Sequence, residues 1–171
     1  MALLTLPSEN YRDSYLEALG ELQAEGRQQN ISREQIATHF SSFVQRLHDQ
    51  ADIARIEPGQ IPFSEFWLVD GNDYLGTFIL RHKLDEFLLQ KGGHIGYVIR
   101  PSRRKQGNGK LILNYGLEKA KARGLERVLL TCDEENRSSR AIIEVNGGVL
   151  ENIIQIERWP VPICRYWIQL V

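Results

Sequence analysis

The chain has 171 residues and a mass of 19.7 kDa, one domain's worth of sequence that can bury roughly 70% of its unfolded surface without disulfide or metal staples. Apolar residues make up 42%, charged residues 25%, and the formal net charge is −1, a balance that argues against binding nucleic acid or anionic membrane over the whole surface. No stretch approaches the ~18 apolar residues of a membrane span, Met1 to Leu6 has no basic start and stops at Pro7, and the four histidines and two distant cysteines show no metal-ligand spacing, so the expectation is a cytoplasmic protein with reduced thiols and no metal.

Residues 1–62 are expected to form an N-terminal strand and two helices. Tyr11, Tyr15, Leu16, Leu19 and Leu22 recur at helical spacing and fade into the polar stretch Glu25 to Asn30. A second helix opens at Ser32 with Gln35 three residues on, a capping box, and carries the stripe Ile36, Phe40, Phe43, Val44, Leu47. Glu57 to Pro62 cannot continue a helix and reads as a loop. From Phe63 the pattern changes. Glu65 to Val69 and Tyr74 to Leu80 read as strands joined by the hairpin turn Asp70-Gly71-Asn72-Asp73, and Lys91-Gly92-Gly93 introduces a third strand from His94 to Arg100. A helix from Gly107 to Arg123, a strand from Arg127 to Thr131 and a short helix from Ser138 to Asn146 follow. Two strands, 149–156 and 163–170, close a mixed α/β single domain built around one mostly antiparallel sheet, with 63–157 as its core and 158–171 as the C-terminal strand. The last strand is apolar enough to suggest an edge that pairs with a second copy in a homodimer.

The chemically informative stretch runs from His94 to Lys110. A strand ending at Pro101 passes through the basic turn Arg103-Arg104-Lys105 and meets Gly107 and Gly109 at a helix start. Free amides of the first helical turn, the helix dipole and glycines that let a ligand approach the backbone together favour an anion such as a pyrophosphate. A P-loop would need Gly where Arg104 stands and Ser or Thr at Leu111, and a dinucleotide fingerprint would need Gly at Ile112. What fits is R-x-x-G-x-G over Arg104, Gly107 and Gly109. Without an aromatic platform beside this turn, a nucleic-acid patch is a minor alternative.

Here the chain resembles the GCN5-related N-acetyltransferase superfamily, whose R/Q-x-x-G-x-G/A turn holds the pyrophosphate of acetyl-CoA. The resemblance spans residues 63–157 and includes Ile99-Arg100-Pro101 before the turn, Asn136 and Ser139 at the start of the next helix, and Gly147-Gly148 closing it. Phe66-Trp67-Leu68-Val69-Asp70, Gly92 to Tyr97, Thr131-Cys132-Asp133 and Arg165-Tyr166-Trp167 look like a bacterial branch of predicted acetyltransferases without an assigned substrate. The resemblance implies a central sheet of six to seven strands with helices on both faces, and a bulged, splayed strand at the cofactor site, with Gly96 well placed for the bulge. It also implies that Arg104, Lys105, Gln106, Gly107, Asn108, Gly109 and Lys110 hold the pyrophosphate. The backbone of Val98 and Ile99 would hold the pantetheine arm and polarise the acetyl carbonyl, and Asn136 and Ser139 would line the arm.

Acetyl transfer to an amine needs a neutral nucleophile, although a lysine-type amine has a pKa of about 10.4. It also needs donors for the oxyanion and benefits from a proton for the departing thiolate. The family often places a tyrosine acid seven residues after the asparagine, where this chain has Ile143. Cys132, Tyr97 and Tyr166 are the candidate replacements. His94 leads the candidate bases, followed by Glu65, His82 and Glu86. The expected activity is transfer from acetyl-CoA to a primary amine within a ternary complex. A non-catalytic acyl-CoA sensor is the alternative that the Ile143 departure favours. Acceptor choice is expected from the first two helices, the Glu57 to Pro62 loop and the Arg81 to Gly93 connection.

Overall fold

A computed structural model of the chain describes residues 1–171. Seven strands are present, β1 (Leu3–Thr5), β2 (Phe63–Asp70), β3 (Asp73–Arg81), β4 (Ile95–Ile99), β5 (Arg127–Asp133), β6 (Val149–Ile154) and β7 (Ile163–Gln169). Six α-helices accompany them, α1 (Arg12–Ala24), α2 (Arg33–Thr38), α3 (Phe40–Asp49), α4 (Glu86–Gln90), α5 (Asn108–Ala122) and α6 (Arg137–Val145). The fold is mixed α+β.

The strands form two antiparallel sheets rather than the single one expected, in the orders β1-β2-β3-β4 and β5-β7-β6. They meet where β4 begins. The His94 amide donates to the Leu129 carbonyl (2.8 Å), and the Leu129 amide donates to Nδ1 of His94 (2.9 Å). Beyond that point β4 and β5 share no ladder, so the sheets part like an opened book. Gly93 makes the close approach possible: its φ is +61°, and a Cβ there would sit 2.3 Å from the Leu129 carbonyl oxygen.

The expected irregularity at Gly96 is absent from the ladder. β4 pairs with β3 in unbroken register from Ile95 to Ile99, and the shift in this sheet lies between β2 and β3, opposite Leu68 and Val69. The splay therefore comes from the His94–Leu129 hinge. A second correction concerns β7. It is the central strand of its sheet, between β5 and β6, so its apolar sequence reflects burial and gives no reason to expect a second subunit.

Alternation in the strands sends side chains into two cores. Leu68, Phe78, Leu80, Ile95 and Ile99 pack with Ile112, Leu113 and Ala120 of α5. Trp67, Val69 and Tyr74 face the other way, against Leu16 and Leu19 of α1, Ile36 of α2 and Phe40 and Val44 of α3. The stripe expected to be one helix is broken at His39 (φ −120°, ψ 40°), although Ser32 caps α2 as anticipated, accepting from the Gln35 amide. No helix is long and apolar enough to cross a membrane.

Candidate active site

The parted strands open a cleft of about 650 Å³ between β4, the α5 start and the α6 start. Its lining includes Tyr97, Val98, Ile99, Arg104, Lys105, Gly107, Gly109, Lys110, Asn136 and Ser139, all expected from sequence, together with Arg27, Ser138, Ala141 and Ile142, which were not. Arg27 follows α1, far from the turn in sequence, and no local pattern marks it.

The turn after β4 is shaped to present backbone. Pro101–Arg103 forms a short 3-10 turn, Lys105 takes the left-handed region at φ +59°, and Gly107 caps α5 at φ +83°. Leu111 is the first α5 residue whose amide is bonded back, to the Gly107 carbonyl (3.1 Å), so the amides of Asn108, Gly109 and Lys110 are free to meet an anion. Gly109 packs tightly on α6, where a Cβ would lie 2.5 Å from the tip of Ile142. A diphosphate thus fits this corner by amides, dipole and the cations Lys105, Lys110 and Arg27.

Three expected ligands act differently from the simple motif reading. The Arg104 guanidinium is engaged by both carboxylate oxygens of Glu25 (2.8 and 3.0 Å), and its Nε donates to the Ile99 carbonyl. Asn108 donates its side-chain amide to the Arg103 carbonyl, and Gln106 donates to that of Ser102. Neither Asn108 nor Gln106 lines the cleft. These two side chains brace the turn.

Deeper in the cleft, the Tyr97 hydroxyl lies 3.1 Å from Ser139 Oγ, and Asn136 caps α6 by accepting from the Ser139 amide. Burial pushes the Tyr97 phenol up to about 12, so it keeps its proton at neutral pH. Cys132 is half-buried beside Ser139, and burial, aided by nearby Cys164, pushes its thiol up to about 11. It is a thiol, not a poised thiolate. Tyr166 is buried with its hydroxyl fully used, donating to Glu144 (2.7 Å) and accepting from Arg140. Ile143 belongs to the core.

The structure corrects the leading base candidate. With Nδ1 of His94 accepting from Leu129, the ring proton sits on Nε2, and neither nitrogen keeps a free lone pair for base chemistry. Burial, with Arg127 nearby, also lowers its pKa. His94 is the hinge. His82 is similarly used, its Nδ1 facing Arg123 and its Nε2 facing Ser64. Glu86 is exposed on α4. Glu65 differs: it accepts from Trp67 Nε1 (2.9 Å) and has no cationic partner.

A splayed pair of strands, a glycine-containing anion turn and a second helix start facing it define a binding site for a pantetheine-bearing nucleotide. Residues 23–147 match the model of the acetyltransferase (GNAT) family, and the chain belongs to that family. It is an acetyltransferase that takes its acetyl group from acetyl-CoA. No curated protein matches the sequence. Among solved structures, it is similar to RimL, a ribosomal L7/L12 alpha-N-protein acetyltransferase in complex with coenzyme A, at 17% identity and TM-score 0.71, over 98% of this chain and 93% of that one. A spermidine N-acetyltransferase SpeG chimera from Vibrio cholerae and hSSAT matches at 16% identity and TM-score 0.65, over 99% and 95% of the two chains. The microcin C7 self-immunity acetyltransferase MccE, in complex with acetyl-CoA and AMP, matches at 13% identity and TM-score 0.68, over 98% and 92%. At such identities these likenesses establish the fold alone.

Proposed function

We propose that this acetyltransferase passes the acetyl group directly to a primary amine while both substrates are bound. The observation that carries the reading is the cleft in which the free amides of Asn108 to Lys110, the Asn136–Ser139 helix start and the Tyr97 hydroxyl converge. The pyrophosphate lies on the amides of residues 108–110 beside Lys105 and Lys110. The pantetheine arm follows the unpaired edge of β4 past Val98 and Ile99, whose backbone polarises the carbonyl. Asn136 and Ser139 line the arm.

The amine reaches the carbonyl from the opposite face of β4, and catalysis rests on holding the two in near-attack geometry. Nitrogen bonds to the carbonyl carbon, the C–S bond breaks, and the Tyr97 hydroxyl gives its proton to the departing thiolate. Ser139, within hydrogen-bond reach, steadies the phenolate until the proton that the attacking nitrogen sheds on becoming an amide restores the phenol through solvent. A protonated Cys132 is a poor nucleophile, which favours direct transfer over an acetyl-cysteine intermediate.

The test is release of CoA thiol from acetyl-CoA by purified protein across a panel of amines, beside Gly107→Glu, which forces a side chain into a left-handed position and sets a carboxylate against the phosphates. Amine-dependent release abolished by Gly107→Glu is expected. Tight acetyl-CoA binding with no release for any amine would overturn catalysis in favour of a sensor.

A further inference from the structure

The face of the first sheet opposite α5 is not fully covered. β3 alternates cleanly: Phe78 and Leu80 are buried toward α5, whereas Thr77, Ile79 and Arg81 on the other face are only partly buried. Thr77 pairs with Val98 and Ile79 with Gly96 on β4, and on the other side they pair with Trp67 and Glu65 of β2. This open face therefore runs up to the strand whose backbone meets the acetyl group.

Two charged groups lie on it without a counter-ion. Arg81 donates through Nη1 to the carbonyls of Gly92 (3.1 Å) and Gly93 (3.2 Å), has no carboxylate within ion-pair distance, and has its pKa lowered by burial. Its guanidinium lies over Gly96: a Cβ at that position would be 3.8 Å from Nη1. Glu65 receives Trp67 Nε1 (2.9 Å), and Thr77, whose hydroxyl pairs with that of Tyr74 (2.7 Å), lies beside it. No cation reaches Glu65. The titratable groups that face it are Tyr15 of α1 and Tyr74 of β3.

Desolvated charges left unpaired are costly, and a ligand of complementary charge would offset that cost. Arg81 calls for an anion and Glu65 for a cation, on one face, near one strand. From this we infer that the acceptor is an amino-acid-type molecule, with Arg81 holding its carboxylate and Glu65 receiving its ammonium group. The inference rests on the amine-transferase reading above and names its substrate class. The carboxylate docks by Gly96, beneath the Arg81 guanidinium, and the nitrogen lies toward Val98 on the same face of β4. An ammonium N–H bond breaks as a Glu65 O–H bond forms, directly or through water beside Thr77. The freed lone pair attacks the acetyl carbon, the C–S bond breaks with Tyr97 protonating the thiolate, and the nitrogen loses its second proton to solvent as the amide forms.

The test uses purified protein with acetyl-CoA and the common L-amino acids, followed by the best substrate's own carboxamide, which keeps the amine and removes the negative charge. The amino acid should exceed its amide in kcat/KM by about ten- to a hundredfold, the size expected for a charge-assisted contact. Arg81→Gln should erase that ratio while leaving acetyl-CoA affinity unchanged. Arg81→Lys, which keeps a donor for the Gly92 and Gly93 carbonyls, should retain part of it and guards against a folding artefact. Glu65→Gln should lower kcat and remove the acidic limb of the pH–rate profile. Equal use of the amide, or a ratio indifferent to Arg81, overturns the inference. So does turnover of spermidine or a peptide N-terminus with no amino acid accepted, an outcome that leaves the transferase standing. If no amine is turned over, calorimetry of the amino acids against the CoA-saturated protein still decides: binding that Arg81→Gln removes supports the subsite, and no binding overturns it.

Discussion

The two faces of β4 treat charge in opposite ways. On the cofactor side the arginines before the anion site are paired from within the chain, which leaves Lys105, Lys110 and Arg27 for the diphosphate. Arg100 meets Glu17 (3.0 Å) and Glu21 (2.7 Å), Arg103 meets Asp73, Arg104 meets Glu25, and Ser102 donates to Glu21 through both amide and hydroxyl. Glu17 and Glu21 of α1 and Glu25 just beyond it recur every four residues, so one stripe holds Arg100, Ser102 and Arg104 while Asp73 holds Arg103. On the acceptor side Arg81 and Glu65 have no such partners. The cofactor side has its arginines braced, with backbone amides, Lys105, Lys110 and Arg27 left for an anion, whereas on the proposed acceptor side Arg81 and Glu65 have no ionic partner.

That division depends on the sheets parting at the right place, so the largest expected effect comes from the hinge. Gly93→Ala adds a Cβ 2.3 Å from a backbone oxygen at φ +61°. The combined clash and strain should cost at least about 3 kcal/mol. Gly124→Ala is the comparison, since Gly124 has φ +88° and nothing within 4 Å. It isolates the backbone term at about 1–2 kcal/mol. Denaturant unfolding of the two variants measures the difference, and equal losses would mean that the hinge yields.

What was legible in the sequence follows the same line. The hairpin at Asp70 to Asp73, the capped start of α2 and the strand–turn–helix from His94 to Lys110 are written in neighbouring residues, and the structure reproduces them. The parting of the sheets, the insertion of β7 between β5 and β6 and the placing of Arg27 in the cleft join distant segments. Glu25 and Arg104 are 79 residues apart, so a motif read alone handed the whole guanidinium to the pyrophosphate. His94 looked like a base because a strand histidine near the site has a suitable pKa. Only the Leu129 amide on its Nδ1 reveals the hinge.

Glu65 offers the next test, through stability. Burial raises its carboxyl from 4.5 to about 7, against weaker lowering by Trp67 and Thr77. The folded protein therefore holds this proton more tightly than the unfolded chain does. The resulting stability is complete below pH 4.5 and is lost as pH rises through about 7, an amount of about 3 kcal/mol. Glu65→Gln keeps the acceptor for Trp67 and carries no charge. Its stability should match wild type near pH 4.5 and exceed it by that amount at pH 8. Parallel pH–stability curves would show that the carboxylate already has a counter-charge, and the contrast between the two faces would collapse.

The smallest effect sharpens the cofactor side. Glu25 and Arg104 are both more than a third exposed, so Glu25→Gln should change stability by less than about 1 kcal/mol. Its consequence lies in CoA affinity. The carboxylate competes with a diphosphate for one guanidinium and adds negative charge beside the cleft. Removing it should tighten CoA binding by a few-fold at low salt, and the gain should shrink at high salt as the charges are screened. In an Arg104→Gln background the same substitution should gain less, because the guanidinium it competes for is gone. Calorimetry of the four proteins completes the cycle. Weaker binding by Glu25→Gln would mean that the carboxylate positions Arg104 for the phosphates, which would make the grip of α1 on the turn a requirement for binding rather than a competitor with it.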